Sequence, residues 1–144
     1  MKIRICQPET EEDFERYYDL RWRILRRPWK QPKGTEKDEY EGCAIHVMAC
    51  AEGRVVGVGR AHFNSEEEAQ IRYMAVEAEY RGKGVGSSLI KELERRIREK
   101  GARYVVVNAR ENAVGFYLKN GYEVTGEAPT LFGCIHHRRM RKQL

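Results

Sequence analysis

The sequence predicts an α/β (α+β) fold in which one twisted sheet carries helices on both faces. An alternating strand over residues 2–6 and a hairpin over residues 45–63 precede a regular strand, helix, strand, helix order. The chain has 144 residues, enough for one hydrophobic core, and it contains no internal repeat. We therefore expect a single domain over residues 1–144.

The N-terminal third is predicted to contain the first strand, a helix and a long loop. Pro8 ends the strand, and Thr10 with Asp13 is close to a capping box that starts the helix. Apolar residues at three- and four-residue steps give this helix one aromatic-rich face. Prolines and a glycine then predict a polar loop over residues 26–41. Within it we expect Trp29 to fold onto the core, the alternative being a substrate contact.

The later elements follow from periodicity and turn residues. Two strands, 45–51 and 54–63, are predicted to be joined by the tight turn Glu52-Gly53. Gly57 and Gly59 indicate a bulge or close backbone packing in the second strand. We also predict strands over residues 71–76 and 104–108, helices over residues 85–100 and from residue 111 or 112 to 120, and closing strands over residues 122–125 and 135–141.

The composition excludes several classes of protein. Lys and Arg number 27 against 22 Asp and Glu, and this formal charge of +5 suits an anionic ligand without requiring nucleic acid. Four widely spaced cysteines with no C-x-x-C pair disfavour a zinc site and a secreted disulfide framework. We expect reduced, mostly buried thiols in a cytoplasmic protein. Neither a signal peptide nor an apolar run of membrane-spanning length is predicted.

A glycine-rich loop between the predicted strand 71–76 and the helix 85–100 is the candidate ligand site. Its sequence is Arg81-Gly82-Lys83-Gly84-Val85-Gly86-Ser87. Glycines let several N–H groups point at one ligand, and the helix adds its own unpaired N–H groups, so the loop favours phosphate. The spacing fits neither the Walker A pattern nor the dinucleotide pattern G-x-G-x-x-G. The alternative is an ordinary glycine-rich turn.

Two motifs resemble those of the GNAT superfamily of acyl-CoA N-acyltransferases. The Arg-x-x-Gly-x-Gly pattern at residues 81–86 resembles the family's pyrophosphate-binding signature. Residues 112–122 resemble its Asn-x-x-Ala-x-x-x-Tyr-x-x-x-Gly-Phe pattern, although the interval between Asn112 and Ala113 is closed up and Tyr122 replaces Phe. The resemblance implies a GNAT-like mixed, mostly antiparallel sheet. It also implies acetyl-CoA as co-substrate, no metal, and transfer of an acetyl group to a primary amine.

The same resemblance implies roles for individual residues. Tyr117 matches the family tyrosine that assists the departing CoA thiolate, and Asn112 would contact the cofactor or only cap the helix. Arg81 and Lys83 would add charge near the phosphates, although either could be a solvated loop charge. The residues implied for cofactor binding are Met74, Ala75, Val76, Arg81, Gly82, Lys83, Gly84, Val85, Gly86, Ser87 and Asn112.

The general base is not evident from the sequence. Arg72 occupies the strand position where many relatives carry glutamate, and arginine cannot accept a proton there. Residues 135–140 resemble the Gly-Ile-Pro-His stretch of the ElaA-like branch, which implies His137 as a catalytic candidate. A strand histidine with a structural role is the alternative.

Two other functions are compatible with the sequence. The absent strand carboxylate would suit a non-catalytic CoA-binding sensor. A nucleic-acid-binding module would use the basic residues Arg95, Arg96, Arg138, Arg139, Arg141 and Lys142. For the enzyme we expect a small-molecule or peptide amine, no nucleic acid, no membrane and a homodimer through the closing strands. Acidic and aromatic residues in loop 26–41 hint at a cationic amine.

Overall fold

The computed structural model describes residues 2–144, which form one seven-stranded sheet and three α-helices. The strands are β1 (Arg4–Cys6), β2 (Ile45–Ala51), β3 (Arg54–Phe63), β4 (Glu68–Val76), β5 (Tyr104–Arg110), β6 (Glu123–Leu131) and β7 (Ile135–Gln143). The helices are α1 (Glu11–Leu25), α2 (Val85–Glu99) and α3 (Val114–Lys119).

The sheet has the order β1-β2-β3-β4-β5-β7-β6, and β4 with β5 is its one parallel pair among the described strands. The predicted mixed, mostly antiparallel sheet is therefore confirmed. The β2–β3 hairpin turns at Glu52 and Gly53, whose φ angles of 53° and 76° suit a tight turn that follows the strand twist.

Helices α1 and α2 cover opposite faces of the sheet, as predicted. Successive strand residues point to opposite faces, so Val47 of β2 packs with Leu89 of α2, whereas Met48 packs with Leu20 of α1. Helix α1 starts at the predicted capping box: the Asp13 N–H donates to Thr10 Oγ1 at 3.0 Å, and the Thr10 N–H donates to the Asp13 carboxylate at 3.2 Å.

A bulge in β4 interrupts its pairing with β3. Tyr73 and Met74 together oppose Gly59, so the extra residue belongs to β4. The bulge predicted for β3 lies on its other side, where Val56 has no partner between the pairs Ala49–Gly57 and Cys50–Val55. A Cβ atom on Gly59 would lie 2.5 Å from the Met74 sulfur, so glycine allows the Met74 side chain to pack directly on the β3 backbone. Tyr73 has a φ of 60°, which costs a non-glycine residue about 1 kcal/mol. The bulge brings Tyr73 to the α1 face, where the Arg72 guanidinium lies over its ring.

Two predictions for individual residues are wrong. Trp29 does not fold onto the core, because it ends a 3-10 turn (Arg27–Trp29) and is 38% exposed. The cysteines are not mostly buried: Cys43 and Cys134 are exposed, while Cys6 and Cys50 are half-buried. Among residues 2–144, the structure contains no helix with the length and apolar character needed to cross a membrane.

Candidate active site

The two central strands separate at the middle of the sheet. Their parallel pairing covers residues 68–71 of β4 and 104–107 of β5, although β4 continues to Val76 and β5 to Arg110. Beyond this point, the backbone groups of β4 that face β5 have no strand partner within the described residues. An unpaired strand edge inside a sheet can bind an extended chain through backbone hydrogen bonds. The gap contains Met74, Ala75 and Val76, the residues predicted for the pantetheine arm.

The open edge of β4 leads to the glycine loop at the start of α2. Gly82 and Gly84 have φ angles of 74° and 81°, a conformation that side chains disfavour. The Ser88 N–H donates to the Gly84 carbonyl at 3.0 Å, and Gly84 is the N-cap without a side-chain cap. Helix geometry therefore leaves the N–H groups of Val85, Gly86 and Ser87 without helical acceptors. Together with the positive end of the helix dipole, they make an anion site.

Helix α3 packs directly on this anion site. A Cβ atom on Gly86 would lie 2.9 Å from the Phe116 ring, so glycine permits the close approach of the two helices. Asn120 Nδ2 donates to Ser87 Oγ at 3.2 Å. These contacts bring the two motifs recognised in the sequence together and place Tyr117 beside the start of α2.

Tyr117 is 7% exposed and packs edge-on against Phe116 and Tyr122. Burial raises the pKa of its phenol above the ordinary value of 10.0, so the hydroxyl stays protonated at neutral pH. The structure gives this hydroxyl no hydrogen-bond partner among the described residues. Tyr117 is therefore a hydrogen-bond donor available to a ligand.

A network of buried ion pairs occupies the α1 face of the sheet. Asp38 of the long loop accepts hydrogen bonds from both terminal nitrogens of Arg60, at 2.5 and 3.1 Å, and from Arg72 Nη1 at 2.8 Å. Glu41 accepts from Arg21 at 3.0 Å and from Arg60 at 2.7 Å. These pairs could not be predicted from the sequence, because the loop acids resemble ordinary solvent-exposed charges.

Asp38 and Glu41 are therefore not free to bind a substrate cation. Burial works to raise the pKa of Asp38, but hydrogen bonds from Arg60 and the Tyr40 N–H, with the charges of Arg60 and Arg72, lower it to about 2. The Glu36 carboxylate accepts from the Gly34 N–H at 2.7 Å. These three acids thus give no support to the hint of a cationic acceptor, and Asp38 cannot serve as the missing base.

Comparison with known proteins identifies the family. The sequence profile of the Acetyltransferase (GNAT) family matches residues 14–122, which span the glycine loop, Tyr117 and Gly121-Tyr122. The chain therefore belongs to the GNAT acetyltransferase family.

Individual GNAT relatives cover nearly the whole chain. The Bacillus subtilis protein YjcF, described as an uncharacterised N-acetyltransferase, is 29% identical over 134 residues, or 93% of this chain and 95% of YjcF. A GNAT acetyltransferase from Elizabethkingia anophelis, solved with acetyl-CoA bound, superposes with a TM-score of 0.81 at 18% identity over 99% of this chain and 98% of that one. Escherichia coli ElaA superposes with a TM-score of 0.80 at 17% identity over 99% of both chains. These structural likenesses show a shared fold.

Three other predicted GNAT cofactor residues, Arg81, Lys83 and Asn112, are exposed. Arg81 is exposed, and its Nε donates to the Val76 carbonyl at 3.3 Å. The exposed Lys83 lies 5.5 Å from the Tyr80 ring centroid. Asn112 is exposed within a 3-10 turn and caps neither that turn nor α3, so the capping alternative is wrong.

His137 lies on the α1 face, opposite Arg110 in the β5–β7 ladder. Its ring is buried, and Nδ1 lies 2.9 Å from the Ile135 carbonyl, which assigns the proton to Nδ1 and leaves Nε2 able to accept one. Burial lowers the pKa of His137, and the nearby charges of Arg110, Arg26 and Arg72 lower it further. The neutral imidazole therefore predominates at neutral pH. His137 and Tyr117 lie on opposite faces of the sheet, at the region where β4 and β5 separate.

His46 is not available for chemistry in this arrangement. Its two ring nitrogens lie 2.9 Å from the Tyr17 hydroxyl and 2.9 Å from the Glu41 carbonyl, so both are engaged. The described residues contain no group of three or more His, Cys, Asp or Glu side chains arranged to hold a metal ion.

Proposed function

We propose that this protein transfers an acetyl group from acetyl-CoA to a primary amine, within a single domain formed by residues 1–144. One observation carries the proposal: the open edge of β4 runs into a helix start whose N–H groups lack helical acceptors. Membership of the GNAT family supports acetyl-CoA as the ligand. The N–H groups from Gly82 to Ser87 would hold its diphosphate, and Met74, Ala75 and Val76 would pair with its pantetheine arm.

In the proposed reaction the amine attacks the thioester carbonyl directly. The carbon–nitrogen bond forms, the carbon–sulfur bond breaks, and the proton lost by the amine is balanced by the proton gained by the thiol of CoA. Because burial keeps Tyr117 protonated, its hydroxyl would donate a hydrogen bond to the departing thiolate. Backbone N–H groups at the β4 bulge are free of both strand ladders among the described residues, and would stabilise the oxyanion.

His137 would act as the general base for the acceptor. Its free Nε2 and its lowered pKa suit proton acceptance near neutral pH. Arg72, which replaces the glutamate of many relatives, is paired with Asp38 and cannot take this role. The base and the leaving-group donor would thus act from opposite faces of the sheet, through the gap between β4 and β5.

The structure favours one of the two competing functions, the CoA-binding sensor, over the nucleic-acid-binding module. Replacement of the strand carboxylate by Arg72 favours a non-catalytic sensor that binds CoA without turnover. The cations considered for nucleic acid are largely paired with carboxylates: Arg95 with Glu92 and Glu99, Arg96 with Glu92, Arg138 with Glu111, Arg139 with Glu68, and Lys142 with Glu94. Such pairing weakens attraction to phosphates, so we do not favour a nucleic-acid-binding function.

An acceptor screen with acetyl-CoA tests the proposal. Thiol release is followed with a panel of primary amines, with Tyr117→Phe as the matched variant. We expect amine-dependent release, with a turnover number about ten- to a hundredfold lower in Tyr117→Phe at saturating acetyl-CoA, the value of a hydrogen bond to a charged atom. Binding of acetyl-CoA without thiol release would support the sensor instead. Equal turnover by both proteins would remove Tyr117 from the mechanism.

We also propose that the enzyme is cytoplasmic and forms a homodimer. Four cysteines without a disulfide among them suit the reducing cytoplasm. Strand β6 is largely exposed at the edge of the sheet, which is where we propose the homodimer contact.

A further inference from the structure

Three arginines surround the proposed base on the α1 face of the gap. Arg72 and Arg26 lie over the Tyr73 ring, at 4.4 and 5.5 Å from its centroid, and Arg110 lies opposite His137 in the β-ladder. Arg26 and Arg110 both donate to the Leu25 carbonyl at the end of α1, at 3.1 and 3.0 Å. The three guanidinium groups therefore converge where an acceptor would meet His137.

These guanidinium groups are short of negative charge. No carboxylate of residues 2–144 lies within 4.0 Å of Arg26 or Arg110, whose hydrogen bonds go to backbone carbonyls. Arg72 uses only Nη1 for Asp38, an acid that Arg60 already binds at two atoms. The α1 face thus holds five guanidinium groups against three carboxylates: Arg21, Arg26, Arg60, Arg72 and Arg110 against the paired Asp38 and Glu41 and the buried Glu36, which accepts from the Gly34 N–H.

Burial makes this surplus of charge significant. Arg26 is only 5% exposed, and burial together with the charge of Arg72 lowers its pKa. A buried cation without a carboxylate is unfavourable unless a ligand completes its charge balance. Each guanidinium also has planar N–H donors that fit carboxylate or phosphate oxygens.

The diphosphate of the co-substrate does not account for the cluster. Arg72 precedes Val76 by four strand residues, which places it about 13 Å from the end of β4 where the glycine loop begins. The cluster lies on the α1 face, whereas α2, which carries the loop N–H groups, packs on the opposite face. Balancing the charge of the arginine cluster on the α1 face would therefore take a second anion.

We propose that the acceptor is a small amine carrying a carboxylate or phosphate, which Arg26, Arg72 and Arg110 hold while His137 faces the amine. This inference rests on the proposed function, because it assigns the acceptor of the same site. It replaces the cationic acceptor hinted at by the loop acids, since Asp38 and Glu41 are bound to arginines and Glu36 accepts from the Gly34 N–H within the protein.

Equilibrium binding tests the inference without requiring turnover. Calorimetric titrations compare β-alanine, O-phosphoethanolamine and ethanolamine, with and without CoA, on the wild type and on Arg26→Gln and Arg110→Gln. We expect at least one anionic amine to bind about tenfold or more tightly than ethanolamine, and the preference to fall about tenfold in either variant. The stronger of the two anionic probes distinguishes carboxylate from phosphate.

Controls separate the role of charge from folding. Arg103→Gln changes an arginine whose side chain is 72% exposed and which lies near Glu67 instead, so the preference should be unchanged. Arg110→Lys keeps the charge and should retain part of the preference if Arg110→Gln does not fold. Equal binding of charged and neutral amines by the wild type, or a preference that survives in both Gln variants, would overturn the inference. Failure of acetyl-CoA binding would instead count against the proposed function.

Discussion

Replacing Gly86 by alanine should weaken the contact between α2 and α3. A Cβ atom at this position would lie 2.9 and 3.0 Å from two carbons of the Phe116 ring, closer than side chains pack. The ring cannot easily yield, because Phe116 packs against the hydrophobic core and neighbours Tyr117. The substitution therefore tests whether the position of α3, which carries Tyr117, depends on its packing against Gly86 of α2.

Gly115 provides a matched control. It is the second residue of α3, as Gly86 is the second residue of α2, but it has open space within 4 Å of its Cβ position. Alanine gains up to about 1 kcal/mol over glycine from helix propensity at either site. Only Gly86→Ala adds an overpacking cost of about 1–3 kcal/mol. Gly86→Ala should thus be about 1–3 kcal/mol less stable than Gly115→Ala.

Urea unfolding of the two variants measures this difference directly. Turnover with saturating acetyl-CoA should also fall in Gly86→Ala, because displacement of Phe116 moves the neighbouring Tyr117, and it should be retained in Gly115→Ala. If Gly86→Ala is as stable as Gly115→Ala, the two helices do not pack as the structure shows. Normal turnover in a clearly destabilised Gly86→Ala would show that the function of Tyr117 does not depend on the contact between Gly86 and Phe116.

Three further predictions concern the α1 face. Asp38→Asn should lower the free energy of unfolding by about 3 kcal/mol because it breaks buried ion pairs. Asp19→Asn changes a half-exposed pair and should lower it by less than about 1 kcal/mol. The midpoints of urea unfolding measure both effects. Burial lowers the pKa of His46, His62 and His137, so the unfolded chain binds more protons below about pH 6.5. The free energy of unfolding should therefore decrease from pH 7 to pH 5.5, and constant or rising stability would contradict these shifts. Finally, His137→Asn should remove the acidic limb of the pH–rate profile, which lies below pH 6.5 if the lowered pKa of His137 governs it; an unmoved limb would exclude His137 as the base.

Local patterns predicted most of the fold. Thr10 with Asp13 set the start of α1, and Glu52-Gly53 set the hairpin, because capping and tight turns depend on neighbouring residues. The glycine spacing at residues 82–86 likewise predicted the loop that starts α2, since positive φ angles are a local requirement. The fold class followed from the order of these elements.

Such local patterns did not predict contacts between residues that are far apart in the sequence. Asp38 is 22 residues from Arg60 and 34 from Arg72, and nothing near any of them marks the pairing. Burial of Arg26 similarly depends on where the loop after α1 folds. The exposure of Trp29 was missed for the same reason, because a large aromatic residue in a loop does not reveal whether the loop returns to the core.

The proposed diphosphate site is tested most directly by measuring the affinity of acetyl-CoA for the start of α2. Calorimetry is performed on the wild type, on Gly84→Ala and on Gly101→Ala, which alters a glycine of positive φ in open space at the opposite end of α2. We expect saturable binding to the wild type and to Gly101→Ala, and binding about tenfold or more weaker in Gly84→Ala, because a side chain there disturbs the converging N–H groups. The absence of saturable heat in the wild type, or equal affinity in the two variants, would contradict the proposal that these backbone N–H groups hold the diphosphate.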